Sequence, residues 1–112
     1  MASYVPDRGD IIWLDFNPQS GSEICKRRPA LVLSPKLYNK RARLCLVCPI
    51  SSKVKGHPFE VEIATTRIQG AIKSDQVKSM DWSTRKAAFV ERASALVMDE
   101  VLARVEVLLF EG

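Results

Sequence analysis

The sequence predicts a mainly β fold, a small barrel or strongly bent sheet that one C-terminal helix closes. Two patterns support this prediction: short apolar runs alternate with turn-forming residues through most of the chain, and the last segment changes to a helical period. The length of 112 residues fits a single domain spanning residues 1–112, because domains typically hold about 100–150 residues. Hydrophobic residues make up 46% and charged residues 27% of the chain, which excludes a disordered or fibrous protein.

The predicted strands differ in the pattern of their side chains. The first is rich in β-branched and aromatic residues, and the second and third are almost continuously apolar, which is typical of buried strands. The fourth alternates strictly between apolar and acidic residues, so we expect one of its faces, with Glu60 and Glu62, to meet water. In chain order the predicted strands are residues 11–16, 29–34, 44–50, 59–63, 71–74, 76–80 and 87–91.

Two loops and two helical segments connect or follow these strands. Residues 17–28 carry no periodic pattern and form a long loop, which in a compact domain is often functional. A short turn or helix follows Ser34, and residues 51–58 form a second loop. In the tail, apolar residues recur along one helical face, and Asp99 and Glu100 are expected at the positive N-terminal end of that helix.

The charge of the chain is mildly basic and unevenly distributed. Lys and Arg number 17 against 13 Asp and Glu, a net charge of +4. The basic residues concentrate in the first half and the acidic residues near the end. This asymmetry suggests that one side of the fold meets phosphate.

The cysteines and the N-terminus indicate the compartment. Three cysteines cannot all pair within the chain, which fits a reducing environment. Cys45 and Cys48 have C-x-x-C spacing, but in a strand they point to opposite faces, so we expect buried structural thiols and no metal site. Residues 1–8 lack the apolar stretch of a signal peptide, and no run is long enough to cross a membrane, so we expect a cytoplasmic protein.

Two polar segments are candidates for chemistry. The long loop carries Glu23 and ends in Arg28, which Pro29 restricts to an extended backbone, so that its planar guanidinium starts from a fixed place. Ser51 begins the second loop beside Lys53, where a hydroxyl next to a cation could hold a phosphate. Each has a plainer interpretation: a solvated charged loop, and a serine that caps a turn.

The single histidine, His57, limits the possible mechanisms. It lies in the second loop, before a proline, where a solvated side chain is the ordinary expectation. A ribonuclease that works through two histidines is excluded because the chain has one.

Six segments together resemble, in order, the MazF/PemK family of toxin endoribonucleases. They are residues 6–18, 21–23, 28–35, 49–52, 55–61 and 75–79. The resemblance implies an SH3-like barrel of the CcdB/MazF type with a C-terminal α-helix, a homodimer, and a cognate MazE-like antitoxin whose acidic tail occupies the RNA groove. It also implies a toxin that cleaves single-stranded RNA, typically messenger RNA, at a short sequence without metal or cofactor, and so inhibits translation and growth. The products would carry a 2′,3′-cyclic phosphate and a 5′-hydroxyl.

The resemblance also implies residue roles. Arg28 matches the family's catalytic arginine, Ser51 stands where many relatives have a catalytic threonine, and Glu23 matches a loop acid that assists. Lys73 and Asp75 match an Arg/Asp pair of PemK-type members, although lysine departs from that pattern. The full set of RNA-binding residues that we expect is Lys26, Arg27, Ser52, Lys53, Lys55, Lys73, Asp75, Gln76 and Lys78.

The acid and base of the reaction are less well defined by the sequence. The pKa of a free arginine lies far above neutrality, so we assign Arg28 to charge stabilisation rather than to proton transfer. Glu23 is the preferred base and Asp75 the second choice, and the acid is left unassigned.

Two rival functions keep a similar fold. Fold alone does not decide function, so a CcdB-like toxin remains an alternative. Such a toxin would bind DNA gyrase without cutting nucleic acid. A non-catalytic RNA-binding barrel would need an exposed aromatic platform, and most of the few aromatic residues here lie in apolar runs.

Overall fold

The computed structural model describes residues 4–16 and 27–110, and within them seven strands and two helices. The elements in chain order are β1 (Asp10–Asp15), β2 (Arg27–Val32), α1 (Lys36–Ala42), β3 (Cys45–Ser51), β4 (Glu60–Ala64), β5 (Gln69–Lys73), β6 (Lys78–Met80), β7 (Ala88–Arg92) and α2 (Ala95–Phe110).

The strands form one antiparallel sheet in the order β4-β5-β3-β2-β1-β7, and β6 also pairs with β3. Strand β3 bends the sheet because its two ends have different partners. Its first part pairs with β2 and β6, whereas Ile50 and Ser51 pair with Ile72 and Ala71 of β5. The result is a curled half-barrel that α2 closes, which confirms the predicted fold class.

Apolar side chains cover both faces of the bent sheet. One cluster lies beneath α2, whose fully buried Val101 packs into it. The other lies under the N-terminal segment and includes Trp82. Because β1, β2 and β3 contribute alternate residues to both clusters, these three strands are fixed from both sides, and they are the strands that carry the site.

The cysteine prediction is confirmed for the two residues that the structure describes. Cys45 belongs to the cluster with Trp82 and Cys48 to the cluster under α2, so their thiols lie on opposite faces. Burial raises the pKa of each thiol to about 12, which keeps both protonated at neutral pH. Cys25 lies outside the described residues. Among those described, no group of His, Cys, Asp or Glu could hold a metal ion.

The predicted start of the C-terminal helix is wrong. The helix α2 begins at Ala95, and Ser94 caps it, since its Oγ accepts a hydrogen bond from the backbone N–H of Val97 at 3.1 Å. Asp99 and Glu100 therefore lie inside the helix rather than at its positive end. The Ser94 cap was the sequence signal that would have placed the boundary correctly.

The predicted wet face of the fourth strand is also wrong at one position. Glu62 is exposed, but Glu60 is only 8% exposed. Its partner across the ladder is Lys73 of β5, a second buried charge. A carboxylate can be buried when it is paired in this way, and strand periodicity alone does not reveal a pair that comes from another strand.

Other boundaries agree with the prediction to within a few residues. The helix α1 continues past Asn39 to Ala42, and β2 already begins at Arg27. The described helices include none with the length and apolar character needed to cross a membrane.

Candidate active site

The sheet brings Arg28 and Ser51 together. In the ladder between β2 and β3, Ala30 lies opposite Pro49, and the register continues through the neighbouring pairs. The paired ladder ends at this pair, with Arg28 two residues before Ala30 on β2 and Ser51 two residues after Pro49 on β3. The two adjacent strands therefore deliver a guanidinium and a hydroxyl to the same region of the surface.

Both side chains line two adjoining clefts. The larger, which we call the tryptophan cleft, has a volume of about 530 Å³, and the smaller, the basic cleft, about 210 Å³. The tryptophan cleft is lined by Trp13, Arg27, Arg28, Pro29, Ile50, Ser51, Ser52, Lys53, Arg67, Ile68 and Gln69. The basic cleft is lined by Arg28, Pro49, Ser51, Lys53, Lys55, His57, Lys73 and Gln76. Arg28, Ser51 and Lys53 are shared, so they stand where the two clefts meet.

The Ser51 hydroxyl is fixed and still able to donate. Its Oγ accepts a hydrogen bond from the backbone N–H of Lys53 at 3.1 Å. A hydroxyl that accepts in this way keeps its own proton for an incoming oxygen. Together with the Arg28 guanidinium, it provides donors suited to a phosphate oxygen.

Gly70 allows β5 to approach Ser51 closely. The glycine has φ of +151°, and a methyl group built on it would overlap the Ser51 carbonyl oxygen and lie 2.9 Å from the carbonyl carbon. The backbone of Ser51 is thus held by its pairing with β5 and by this close contact. A side chain at position 70 would have to displace the catalytic candidate.

A buried ion pair lies beneath the basic cleft. The Glu60 carboxylate binds the Lys73 ammonium and accepts backbone N–H groups from Lys55 at 2.9 Å and Gly56 at 2.7 Å. The Lys73 hydrogen bond, with those backbone bonds, lowers the pKa of Glu60 to about 2 against the opposing effect of burial. Glu60 is therefore ionised at neutral pH.

Two predicted RNA-binding cations are held by protein partners. Lys73 is 6% exposed, and besides Glu60 its ammonium donates to the carbonyl oxygen of Lys53 at 3.0 Å. Arg27 donates to the Asp15 carboxylate at 2.9 Å and to the carbonyl oxygen of Lys86 at 2.6 Å. Lys73 and Arg27 also line the clefts, so their contact with RNA stays a prediction.

The other predicted site residues take different positions. Ser52, Lys53, Lys55 and Gln76 line the clefts, and their contact with RNA stays a prediction. Asp75 is exposed just after β5, between two residues of the basic cleft.

Lys78 lies farther along the sheet. Lys78 is on β6, where it lies opposite Val47 of β3, and its ammonium is 5.9 Å from the centre of the Phe16 ring. Lys78 is not among the residues that line the two clefts with Arg28 and Ser51. Glu23 and Lys26 lie outside the described residues, so their roles stay predictions.

Four residues that line the clefts were not predicted from the sequence. Trp13, Arg67 and Gln69 line the tryptophan cleft, and His57 lines the basic cleft. Arg67 and Gln69 reach the site only because the β4–β5 hairpin pairs with the end of β3. The first strand is continuously apolar from Ile11 to Leu14, so no pattern in the sequence indicated that Trp13 faces the cleft.

Comparisons with known proteins show the family of the chain. The model of the family described as "PemK-like, MazF-like toxin of type II toxin-antitoxin system" matches residues 7–109. The endoribonuclease toxin MazF of Escherichia coli strain K12 is 40% identical over 109 residues, covering 97% of this chain and 98% of that protein. The endoribonuclease PemK of Escherichia coli is 29% identical over 108 residues, covering 92% of this chain and 81% of its own.

Solved structures give the same result. The structure of MazF (Form-I) from Deinococcus radiodurans superposes with a TM-score of 0.87 at 44% identity, covering 96% of this chain and 98% of that one. A MazE-MazF structure (Form-II) from the same organism gives a TM-score of 0.90 at 42% identity, covering 98% and 100%. The chain therefore belongs to the PemK-like, MazF-like toxin family of type II toxin–antitoxin systems and is a homologue of the endoribonuclease MazF.

Proposed function

We propose that the chain is a metal-independent, sequence-specific endoribonuclease that cleaves single-stranded messenger RNA to 2′,3′-cyclic phosphate and 5′-hydroxyl ends. The observation that carries this proposal is that Arg28 and Ser51, on the adjacent strands β2 and β3, both line the two clefts at the place where these clefts meet. Lys53 and Lys55 add positive charge to the basic cleft, which suits a polyanionic strand.

In the proposed reaction, the 2′-oxygen of a nucleotide attacks the adjacent phosphorus and the bond to the 5′-oxygen breaks. The phosphorane that forms carries more negative charge than the phosphodiester. The Arg28 guanidinium meets this charge with a fixed fork of donors, and the Ser51 hydroxyl adds a neutral hydrogen bond to the same phosphate. The chain's own cations thus supply the charge stabilisation that the step requires.

Proton transfer is assigned to carboxylates. Glu23 is the proposed base that takes the proton from the 2′-hydroxyl, and Asp75 is the second candidate, exposed beside the basic cleft. The acid that protonates the leaving 5′-oxygen is left unassigned. Arg28 is assigned to charge stabilisation and takes no part in proton transfer.

Base selection is proposed to come from the walls of the tryptophan cleft and from the loops beside it. Trp13 is 36% exposed in that cleft and Gln69 offers an amide. Single-stranded RNA is commonly read by stacking on aromatic side chains and by hydrogen bonds to exposed base edges. These two groups provide both kinds of contact within reach of the reacting phosphate.

The proposed partners follow from the family and from the surface. Relatives from Deinococcus radiodurans are described as MazE-MazF structures, and we propose a cognate antitoxin whose acidic segment competes with RNA for the clefts. We also propose a homodimer in the cytoplasm. Its support is a set of exposed apolar side chains along α2, a surface that association would bury: Leu96, Leu102, Val107, Leu108, Leu109 and Phe110.

A single assay tests this function. The purified chain is incubated with single-stranded RNA in excess EDTA, beside the Arg28→Ala variant. We expect the wild type to cut at a defined sequence and the variant to leave the RNA intact. Intact RNA in both reactions would overturn the proposal, and inhibition of DNA gyrase by the same preparation would then favour the CcdB-like alternative.

A further inference from the structure

The loop that forms one wall of the basic cleft is held by a buried ion pair. Residues 52–58 carry Lys53, Lys55 and His57, all of which line the cleft. The loop has no regular secondary structure over most of its length, and Gly56 within it has φ of +79°. A cationic loop of this kind would normally sample many conformations, and its charges would then be poorly placed for a phosphate.

The buried carboxylate of Glu60 holds this loop from below. It accepts the backbone N–H groups of two consecutive loop residues, Lys55 and Gly56. The imidazole Nε2 of His57 is 3.7 Å from the same carboxylate, and the His57 Nδ1 accepts the Phe59 N–H at 3.3 Å. The Glu60 side chain thus contacts three successive residues of the loop.

Lys73 completes the support from the neighbouring strand. Its ammonium neutralises Glu60 and donates to the carbonyl oxygen of Lys53. The N–H of that same residue donates to the Ser51 hydroxyl. A continuous set of bonds therefore runs from the buried ion pair through the loop backbone to the site.

We propose that Glu60 and Lys73 are positioning residues, which hold the 52–58 loop so that Lys53 and Lys55 meet the phosphates that flank the scissile bond. This inference rests on the proposed function, since it takes RNA as the ligand of the cleft. Glu60 and Lys73 act through their bonds to each other and to the backbone of the loop. Their contribution is preorganisation, because a loop that is already ordered loses less entropy when the strand binds.

The pair is predicted to act on substrate binding rather than on the chemical step. Ser51 belongs to β3 and is paired with Ala71, so its place does not depend on the loop alone. Lys53 and Lys55 lie in the loop itself. Loss of the ion pair should therefore raise KM for RNA and leave kcat nearly unchanged.

The test replaces both buried charges at once, as Glu60→Leu with Lys73→Met. This variant keeps the net charge and leaves neither ion unpaired. The control, Glu62→Gln with Lys40→Gln, removes one exposed charge of each sign elsewhere. KM, kcat and the salt dependence of KM are measured on single-stranded RNA, and hydrogen exchange reports on the Lys55 and Gly56 amides.

We expect the buried-pair variant to raise KM about tenfold with kcat within about threefold of wild type, because misplaced cations weaken RNA binding. The slope of log KM against log salt should fall by about 0.7 for each phosphate group that the displaced loop no longer binds. The two amides should lose protection. The control variant should behave like wild type in all four measurements.

Two results would overturn the inference. Retained amide protection would show that the pair does not hold the loop, and reduced protection with unchanged KM and salt slope would show that loop position is irrelevant to RNA. If the paired variant does not fold, Glu60→Gln decides instead. It adds net positive charge, so simple electrostatics predicts tighter RNA binding, whereas our proposal predicts weaker binding.

These outcomes are separate from the fate of the proposed function. A wild-type chain that fails to cut RNA overturns the function, and with it the substrate assumed here. A wild-type chain that cuts RNA, together with a buried-pair variant that matches its control, overturns only the positioning role.

Discussion

Replacing Arg28 with alanine is expected to lower the rate of RNA cleavage by about 10²–10³, the usual cost of losing one preorganised donor to a charged transition state. Arg28 lines both clefts together with Ser51, so its guanidinium lies at the point where charge would develop. Single-turnover cleavage at saturating RNA measures the effect on the chemical step. Arg28→Lys should recover only part of the rate, because an ammonium lacks the planar fork.

Arg41→Ala is the matched control, since this arginine is exposed on α1 and losing it removes the same charge. It should cleave at nearly the wild-type rate. Thermal unfolding of all three variants separates a catalytic loss from a folding defect. A folded Arg28→Ala that cuts within about threefold of wild type would remove Arg28 from the mechanism.

Replacing Gly70 with alanine is expected to damage both stability and activity. The new methyl would overlap the Ser51 carbonyl oxygen. In addition, the positive φ of residue 70 is a backbone conformation that costs a residue other than glycine about 1–3 kcal/mol. Relief of the overlap must move β5 or the end of β3. A displacement of about 1 Å at Ser51 can lower the rate by about 10²-fold.

Gly9→Ala provides the comparison for this variant. Gly9 also has positive φ, at +95°, but a methyl there would meet the flexible end of the Arg92 side chain at 3.0 Å rather than backbone. Its stability should fall while its cleavage rate at saturating RNA, measured well below its Tm, stays near that of wild type. Equal rates for the two alanine variants would show that the close approach at Gly70 does not position Ser51.

The fold was predictable because local patterns and the core agree. The continuously apolar second and third strands became β2 and β3 at the centre of the sheet, and the helical period of the tail became α2. Opposite faces for Cys45 and Cys48 followed from strand geometry alone. The predicted start of α2 was wrong because it relied on Asp99 and Glu100, whereas Ser94 is the residue that caps the helix.

The site was predictable in part. Arg28 and Ser51 could be named from their positions beside buried strands and from the family resemblance, but only the pairing of β2 with β3 brings the two residues to the same clefts. Arg67 and Gln69 gave no local signal, because their place depends on a hairpin that pairs with a distant strand. The alternating pattern of β4 predicted that Glu60 would face water. Its burial depends on the ion pair with Lys73 of β5, which the pattern of one strand does not reveal.

The most direct test of the account uses an RNA in which the nucleotide on the 5′ side of the cleavage point carries 2′-deoxyribose. The central claim is that the substrate's own 2′-oxygen attacks the phosphate between Arg28 and Ser51. In EDTA, we predict that the unmodified RNA is cut to a 2′,3′-cyclic phosphate and a 5′-hydroxyl, and that the deoxy-substituted RNA stays intact at that point. Cleavage of the substituted RNA at the same position, or products with a 5′-phosphate, would contradict the account.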